Sequence, residues 1–312
     1  MAQATISERA AALYADALVW DDHSGFEPRV DADLTQLQRW ARSGVTYLSV
    51  DVGYDVMDWQ ETVKVLAAFR AWILARPHDY VLAESVDDIL RAEREDKLAV
   101  TFDIEGMNAI DGDVNMIALY YALGVRQMLF AYNRNNLVGG GCHDEDVGLT
   151  PLGRRAVEEM NRVGMLIDCS HTSHRATMEA MELSTAPVIF SHSNPRALRD
   201  HGRNITDEQI KACAATGGVV GINGIGIFLG ENDTRTETFV HHIDYVAQLV
   251  GAKHVGLGLD YAFEEEGLGD LLRKNPEIWP ADQGYDTPDV AFVEPERLPA
   301  ITAALLDKGY AE

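Results

Sequence analysis

Apolar and β-branched runs of seven to nine residues alternate with amphipathic stretches along the whole chain. Eight runs read as strands: 17–23 (ALVWDDH), 45–53 (VTYLSVDVG), 98–106 (LAVTFDIEG), 125–133 (VRQMLFAYN), 165–171 (MLIDCSH), 186–193 (APVIFSHS), 218–226 (GVVGINGIG) and 254–261 (HVGLGLDY). Their near-continuous hydrophobicity suits strands buried on both faces. Between them the period changes to 3.6, as in 58–77, where Val63, Val65, Leu66 and Phe69 give an apolar helical face. Thr150-Pro151 marks a helix start and Gly164 its stop, and Thr206 with Gln209 forms a capping-box pattern. Gly124 and Gly217 sit where further helices should end.

Eight strand-then-helix units in 312 residues predict a single α/β domain over 1–312, a (β/α)8 TIM-type barrel. An open doubly wound sheet is the alternative. The acidic, Gly-containing segment 263–290 reads as a long loop after the last strand, on the face where a barrel carries its active site.

Composition narrows the class. Hydrophobic residues make up 46% of the chain, enough for a large core. No apolar run approaches the roughly 20 residues that span a bilayer. The first residues carry Glu8 and Asp16 rather than a basic start and an apolar block, so no secretory signal is expected. Three dispersed cysteines suit a reducing compartment, and a cytoplasmic location is expected. A formal net charge of −24 argues against nucleic acid and anionic membranes as partners. A small-molecule substrate remains.

The candidate chemistry lies in where particular residues fall. His23, Glu105, His171, His192 and Asp260 each stand at the C-terminal end of a different expected strand. In a barrel those ends meet at one mouth, and imidazoles with carboxylates are the ligand set of Zn²⁺ and similar ions. Nucleophilic catalysis by Cys169, Ser170 or Ser191 is disfavoured, because neighbours on a strand point to opposite faces and cannot use the adjacent His as base. The glycines of 217–226 lack the spacing of a phosphate or dinucleotide loop. His201, His241, His242 and His254 read as structural.

From residue 17 to residue 309 the chain resembles the membrane (renal) dipeptidase family, zinc-dependent dipeptidases of peptidase family M19. The segment 148–173 (GLTPLGRRAVEEMNRVGMLIDCSHTS) carries the resemblance most strongly, with DIEGMNAID, APVIFSHSNPRAL, RNITDEQI and VGLGLDY in matching order. The resemblance implies a distorted barrel holding zinc, with Glu105 as bridging carboxylate, His171 and His192 on one ion and His23 on the other. It implies that Asp260 shuttles a proton and that Arg203 clamps the substrate carboxylate. It also implies a metallopeptidase acting on dipeptides, with D-residues accepted at the C-terminal side, and a homodimer.

Two positions depart from the family pattern. The expected His-x-Asp reads His23-x-Gly25, which leaves one or two Zn²⁺ per chain open, with water, Asp22 or Asp51 as substitutes. Tyr132 stands where the family often has His; as a phenol it can bind substrate and donate to a developing oxyanion. Gly25 also keeps two other functions open: a metal hydrolase of a non-dipeptide amide or lactam, or a non-catalytic binding relative.

Overall fold

Each of the eight apolar runs contains a strand, and all of them pair in parallel in the computed structural model, which describes residues 6–25, 27–262 and 268–311. The strands are β1 (Trp20–Ser24), β2 (Tyr47–Tyr54), β3 (Tyr80–Leu82), β4 (Leu98–Glu105), β5 (Val125–Leu129), β6 (Leu166–Asp168), β7 (Val188–Ile189), β8 (Val220–Ile222) and β9 (Val255–Leu257). The order β7-β6-β5-β4-β2-β1-β9-β8 is joined at its ends by a parallel bridge between Phe190 and Val220. The result is a nearly closed eight-stranded parallel barrel with helices outside, a distorted form of the TIM barrel.

The additional strand, β3, was not expected. It is three residues long and pairs with the first half of β4 (Leu82 with Val100), while β5 takes the second half from Phe102 onward. A segment that short has no readable period. The expected loop 263–290 also holds a helix, Leu268–Lys274, and a 3-10 turn, Ala281–Gln283; its residues 263–267 lie outside the described residues. No described helix is long and apolar enough to cross a membrane.

Local signals account for the helices. Asp58 and Glu61 form a reciprocal capping box that opens Trp59–Leu74, which buries Val65, Leu66, Phe69 and Ile73. Thr150 caps Pro151–Val163, and Gly164 ends it at φ +86°. Thr206 and Gln209 cap Asp207–Ala215.

The strands are buried on both faces for two different reasons. Leu48, Val50, Phe102 and Ile104 face the helices and join the main core. Their neighbours on β2 and β4 alternate into the barrel as Tyr47, Ser49, Asp51 and Thr101, Asp103, Glu105, with Ser49 beside Thr101 and Asp51 beside Asp103. This lumen is polar and internally hydrogen-bonded: Tyr47 Oη lies 2.5 Å from Thr101 Oγ1, and Ser49 Oγ donates to Asp103 Oδ2 at 2.5 Å. The stack ends at the mouth with Glu105.

Two glycines let the closing segment approach. A Cβ at Gly221 or at Gly258 would lie 2.0 or 1.9 Å from the Ser191 carbonyl oxygen. The stretch carrying His192 can therefore sit against β8 and β9 only because both positions lack side chains.

Candidate active site

Three of the five candidate residues follow their strands by the same step: His171, His192 and Asp260 stand three residues after the ends of β6, β7 and β9. Glu105 closes β4, and His23 lies within β1. The barrel brings all five together. Glu105 Oε2 is 3.1 Å from His171 Nε2 and 3.4 Å from His192 Nε2, and its Oε1 is 3.7 Å from His23 Nε2. Asp260 Oδ1 is 3.5 Å from His23 Nε2. The donor atoms of Glu105, His171 and His192 lie within 4.8 Å of one another, and so do those of His23, His192 and Asp260. His171 (φ +59°) and Asp260 (φ +53°) both adopt left-handed backbone, a strain that non-glycine residues keep where their surroundings fix them.

Outer partners orient each imidazole through Nδ1. Asp103 Oδ1, an acceptor only, lies 3.1 Å from His23 Nδ1. Asn133 donates through Nδ2 to the Ile278 carbonyl, so its Oδ1 accepts from His171 Nδ1 at 2.7 Å. Ser191 donates its one proton to Asp168 Oδ2, so its Oγ accepts from His192 Nδ1 at 2.6 Å. His171 and His192 therefore hold their proton on Nδ1 and turn an Nε2 lone pair inward; burial lowers His23, but Asp103 and Glu105 outweigh it and hold that ring well above the ordinary imidazole value. The His171 and His192 Nε2 atoms are 3.0 Å apart. Buried His23 Nε2 and Glu105 Oε2 have no hydrogen-bond partner. The donor set is that of a divalent metal ion with its usual outer shell.

The electrostatics agree. Burial pushes Glu105 up to about 8; His23 opposes this, while Asp260 and Asp103 reinforce it. Burial, with Glu105 and Asp103 beside it, holds Asp51 well above the usual carboxylate range. Burial, Arg203 and His23 keep His171 well below the ordinary imidazole value, and burial, His23 and Arg203 do the same for His192. The neutral His171 and His192 beside crowded acids are matched by added positive charge.

Above the cluster lies a cavity of about 280 Å³, bordered by Glu105, His171 and Asp260 and walled by aromatic and aliphatic side chains. Tyr132 forms part of the wall: its ring stacks on His171 with centroids 4.2 Å apart, and its Oη accepts from Trp279 Nε1. Arg203 does not border this cavity. Its Nη1 donates to Ser193 Oγ and its Nη2 to the His192 carbonyl, while buried Nε has no partner. It borders an adjoining cavity of about 150 Å³ that shares His171.

Some expectations need correction. Ser191 and His192 were expected on opposite faces, yet their side chains are hydrogen-bonded. β7 ends at Ile189, so strand alternation no longer governs residues 190–193. Ser191 still makes no nucleophile, because it is fully buried and its proton is committed to Asp168. Asp22 belongs to neither group of donor atoms that could hold an ion, and its carboxylate accepts from Trp20 Nε1. Asp51 does border the cavity. A Cβ at Gly25 would lie 2.8 Å from Asp260 Oδ1, so Asp260 fills space that a side chain at position 25 would claim.

Sequence reasoning missed the outer shell of Asp103, Asn133 and Asp168, and also Asp55. The Asp55 carboxylate accepts from the backbone N–H of Asn108 and Tyr132 and from Asn136 Nδ2, which ties the loops after β2, β4 and β5 together. Acids inside apolar runs, as in TFDIE and LIDCSH, were the available signal. Asp55→Ala leaves those donors unpaired and should cost at least about 1–3 kcal/mol in denaturant unfolding.

The family model for membrane dipeptidase, peptidase family M19, matches residues 23–312. The chain belongs to this family. A similar protein is an uncharacterised dipeptidase of Schizosaccharomyces pombe, 31% identical over 245 residues, covering 74% of this chain and 58% of that protein. The dipeptidase tcpJ of Claviceps purpurea is 35% identical over 200 residues, 62% of this chain and 47% of that protein. The matched region is thus about half the length of these curated relatives. An amidohydrolase from Pseudomonas aeruginosa, known from its crystal structure, superposes with a TM-score of 0.88 at 27% identity, covering 97% of this chain and 93% of that one.

Proposed function

We propose that this chain is a metal-dependent dipeptidase that hydrolyses the amide bond of dipeptides, with zinc as the ion. The observation that carries the reading is the convergence of three imidazole Nε2 atoms on the Glu105 carboxyl at the floor of a cavity sized for a small ligand. Membership of the membrane dipeptidase family supports the same reaction class. A divalent ion held there supplies Lewis acidity, polarising a carbonyl and lowering the pKa of water to about 7.

The remaining steps belong to the chain's own side chains. Asp260 takes the proton of the attacking water on Oδ1 and passes it to the leaving amine, while Asn223 Nδ2 holds Oδ2 at 2.8 Å. Tyr132 donates its O–H to the oxyanion that forms at the scissile carbon, since its Oη already accepts from Trp279. Arg203, which borders the adjoining cavity beside His171, is the cation for the substrate's terminal carboxylate. Acceptance of a D-residue at the C-terminal side is part of the proposal and rests on the family resemblance. A panel of L,L- and L,D-dipeptides beside N-acyl amino acids and lactams tests the reading with zinc-loaded protein: turnover confined to the non-dipeptides contradicts it.

The donor count also predicts stoichiometry. The two candidate groups share His192, whose Nε2 has one lone pair, so both cannot be filled through it. Glu105, His171 and His192 make the complete group; His23 and Asp260 are left with the second Glu105 oxygen and no carboxylate from position 25. Zinc titration should show one tight equivalent and a second at least about tenfold weaker, lost on dialysis. Two equally retained ions, counted by mass spectrometry, would contradict this ordering.

A further inference from the structure

We infer that the preferred substrates are dipeptides bearing a bulky apolar side chain, and that Trp279 is the residue that selects them. This rests on the proposed dipeptidase reading and deepens it.

The cavity is roofed by residues between 271 and 292, in the segment that follows β9. Leu272, Trp279 and Tyr285 from that segment pack with Ile227 and Phe228 into a hydrophobic cluster separate from the main core. Trp279 is 5% exposed, yet it borders the cavity, with its ring 6.0 Å from that of Tyr132 and at 77° to it. The roof is fastened to the catalytic floor. Trp279 Nε1 donates to Tyr132 Oη at 3.2 Å, and Asn133, which fixes the His171 tautomer, also donates to the Ile278 carbonyl at 3.1 Å. His201 Nε2 meets the Gln283 carbonyl at 2.6 Å. An apolar wall is thus held at a set height over the reacting atoms rather than left to collapse on them.

The polar atoms of this roof are already engaged. The one indole N–H serves Tyr132, and the Tyr285 hydroxyl lies 3.0 Å from His143 Nε2. A polar side chain entering here gives up water for a wall of carbon, whereas an apolar one gains by leaving water. Charge acts in the same sense: Glu27, Asp51, Glu105 and Asp260 border the cavity, and its bordering Arg29 is paired with Glu27 and Asp31. Acidic side chains are therefore excluded by repulsion as well as by desolvation.

The test is kcat/KM on the zinc-loaded chain for dipeptides containing Phe or Leu at either position, against Ala-Ala and Glu-containing peptides. At least a tenfold preference for the best bulky apolar peptide over Ala-Ala is expected, with Glu peptides poorest. Trp279→Ala should shrink the Phe-to-Ala ratio at least fivefold, and Trp279→Phe should largely restore it. Loss of the Tyr132 hydrogen bond alone would slow all substrates alike and leave that ratio unmoved. Leu272→Ala provides the same test should Trp279→Ala fail to fold. Preference for Ala or Glu peptides, or a ratio unchanged in the folded variants, overturns the inference. If no dipeptide is turned over, the dipeptidase reading fails separately. Calorimetric binding of the same peptides then decides the inference: tighter binding of Phe peptides, lost in the variants, supports it, and indifference overturns it.

Discussion

Replacing Glu105 with Gln is expected to weaken zinc binding by well over about a hundredfold while making the metal-free protein more resistant to unfolding. Glu105 is the acid whose two oxygens reach all three imidazoles, at 3.1 and 3.4 Å from one oxygen and 3.7 Å from the other. Removing even an outer partner of a metal ligand costs about 10–100-fold in affinity, and a shared charged ligand should cost more. The rise in metal-free stability comes from the same geometry. Burial, reinforced by Asp260 and Asp103 against His23, pushes Glu105 up to about 8, so above its ordinary value folding must take up a proton there, at a cost that grows with pH and is full above about 8. The amide keeps the shape without that cost. Competition titration against a chromophoric chelator reads the first effect, and thermal unfolding after exhaustive chelation reads the second. A Gln variant that binds zinc like the parent would make Glu105 an ordinary buried acid.

Asp260→Asn is the second large effect: kcat/KM on the best dipeptide should fall about 10²–10⁴-fold, the range for a lost general base. The ion on Glu105, His171 and His192 should stay. Asparagine matches the size, and Asn223 can still donate to its side-chain oxygen as it does to Asp260 Oδ2. What is lost is the basic oxygen facing His23. Equal losses of activity and of the tight ion would place Asp260 among the essential ligands instead. Full activity in the variant would remove it from proton transfer.

Much of this was legible in the sequence, for a reason peculiar to barrels. All strand ends point to one mouth, so locating the C-terminal end of each apolar run was enough to bring His23, Glu105, His171, His192 and Asp260 together. What escaped was set by contacts across the lumen. Asp103 sits two residues before Glu105 on the same face of β4 and reaches His23 on β1 across the intervening β2, inside the barrel. Asn133 orients His171 from a left-handed position (φ +60°) that no period reveals. The relay from Asp168 through Ser191 to His192 crosses from β6 to the segment after β7, and strand alternation argued against its last step. The contact of the Arg203 guanidinium with the backbone of His192 is visible only once residues 192 and 203 are folded together. The roof of the cavity was read as loop because its order comes from Trp279 and Tyr285 packing on Phe228, far away in the chain.

Zinc-edge anomalous diffraction from crystals of the zinc-loaded chain tests the central claim most directly. A peak is predicted within about 2.0–2.2 Å of a Glu105 oxygen and of the Nε2 atoms of His171 and His192. Zinc-soaked crystals with these three side chains drawn together and no anomalous peak among them would contradict it.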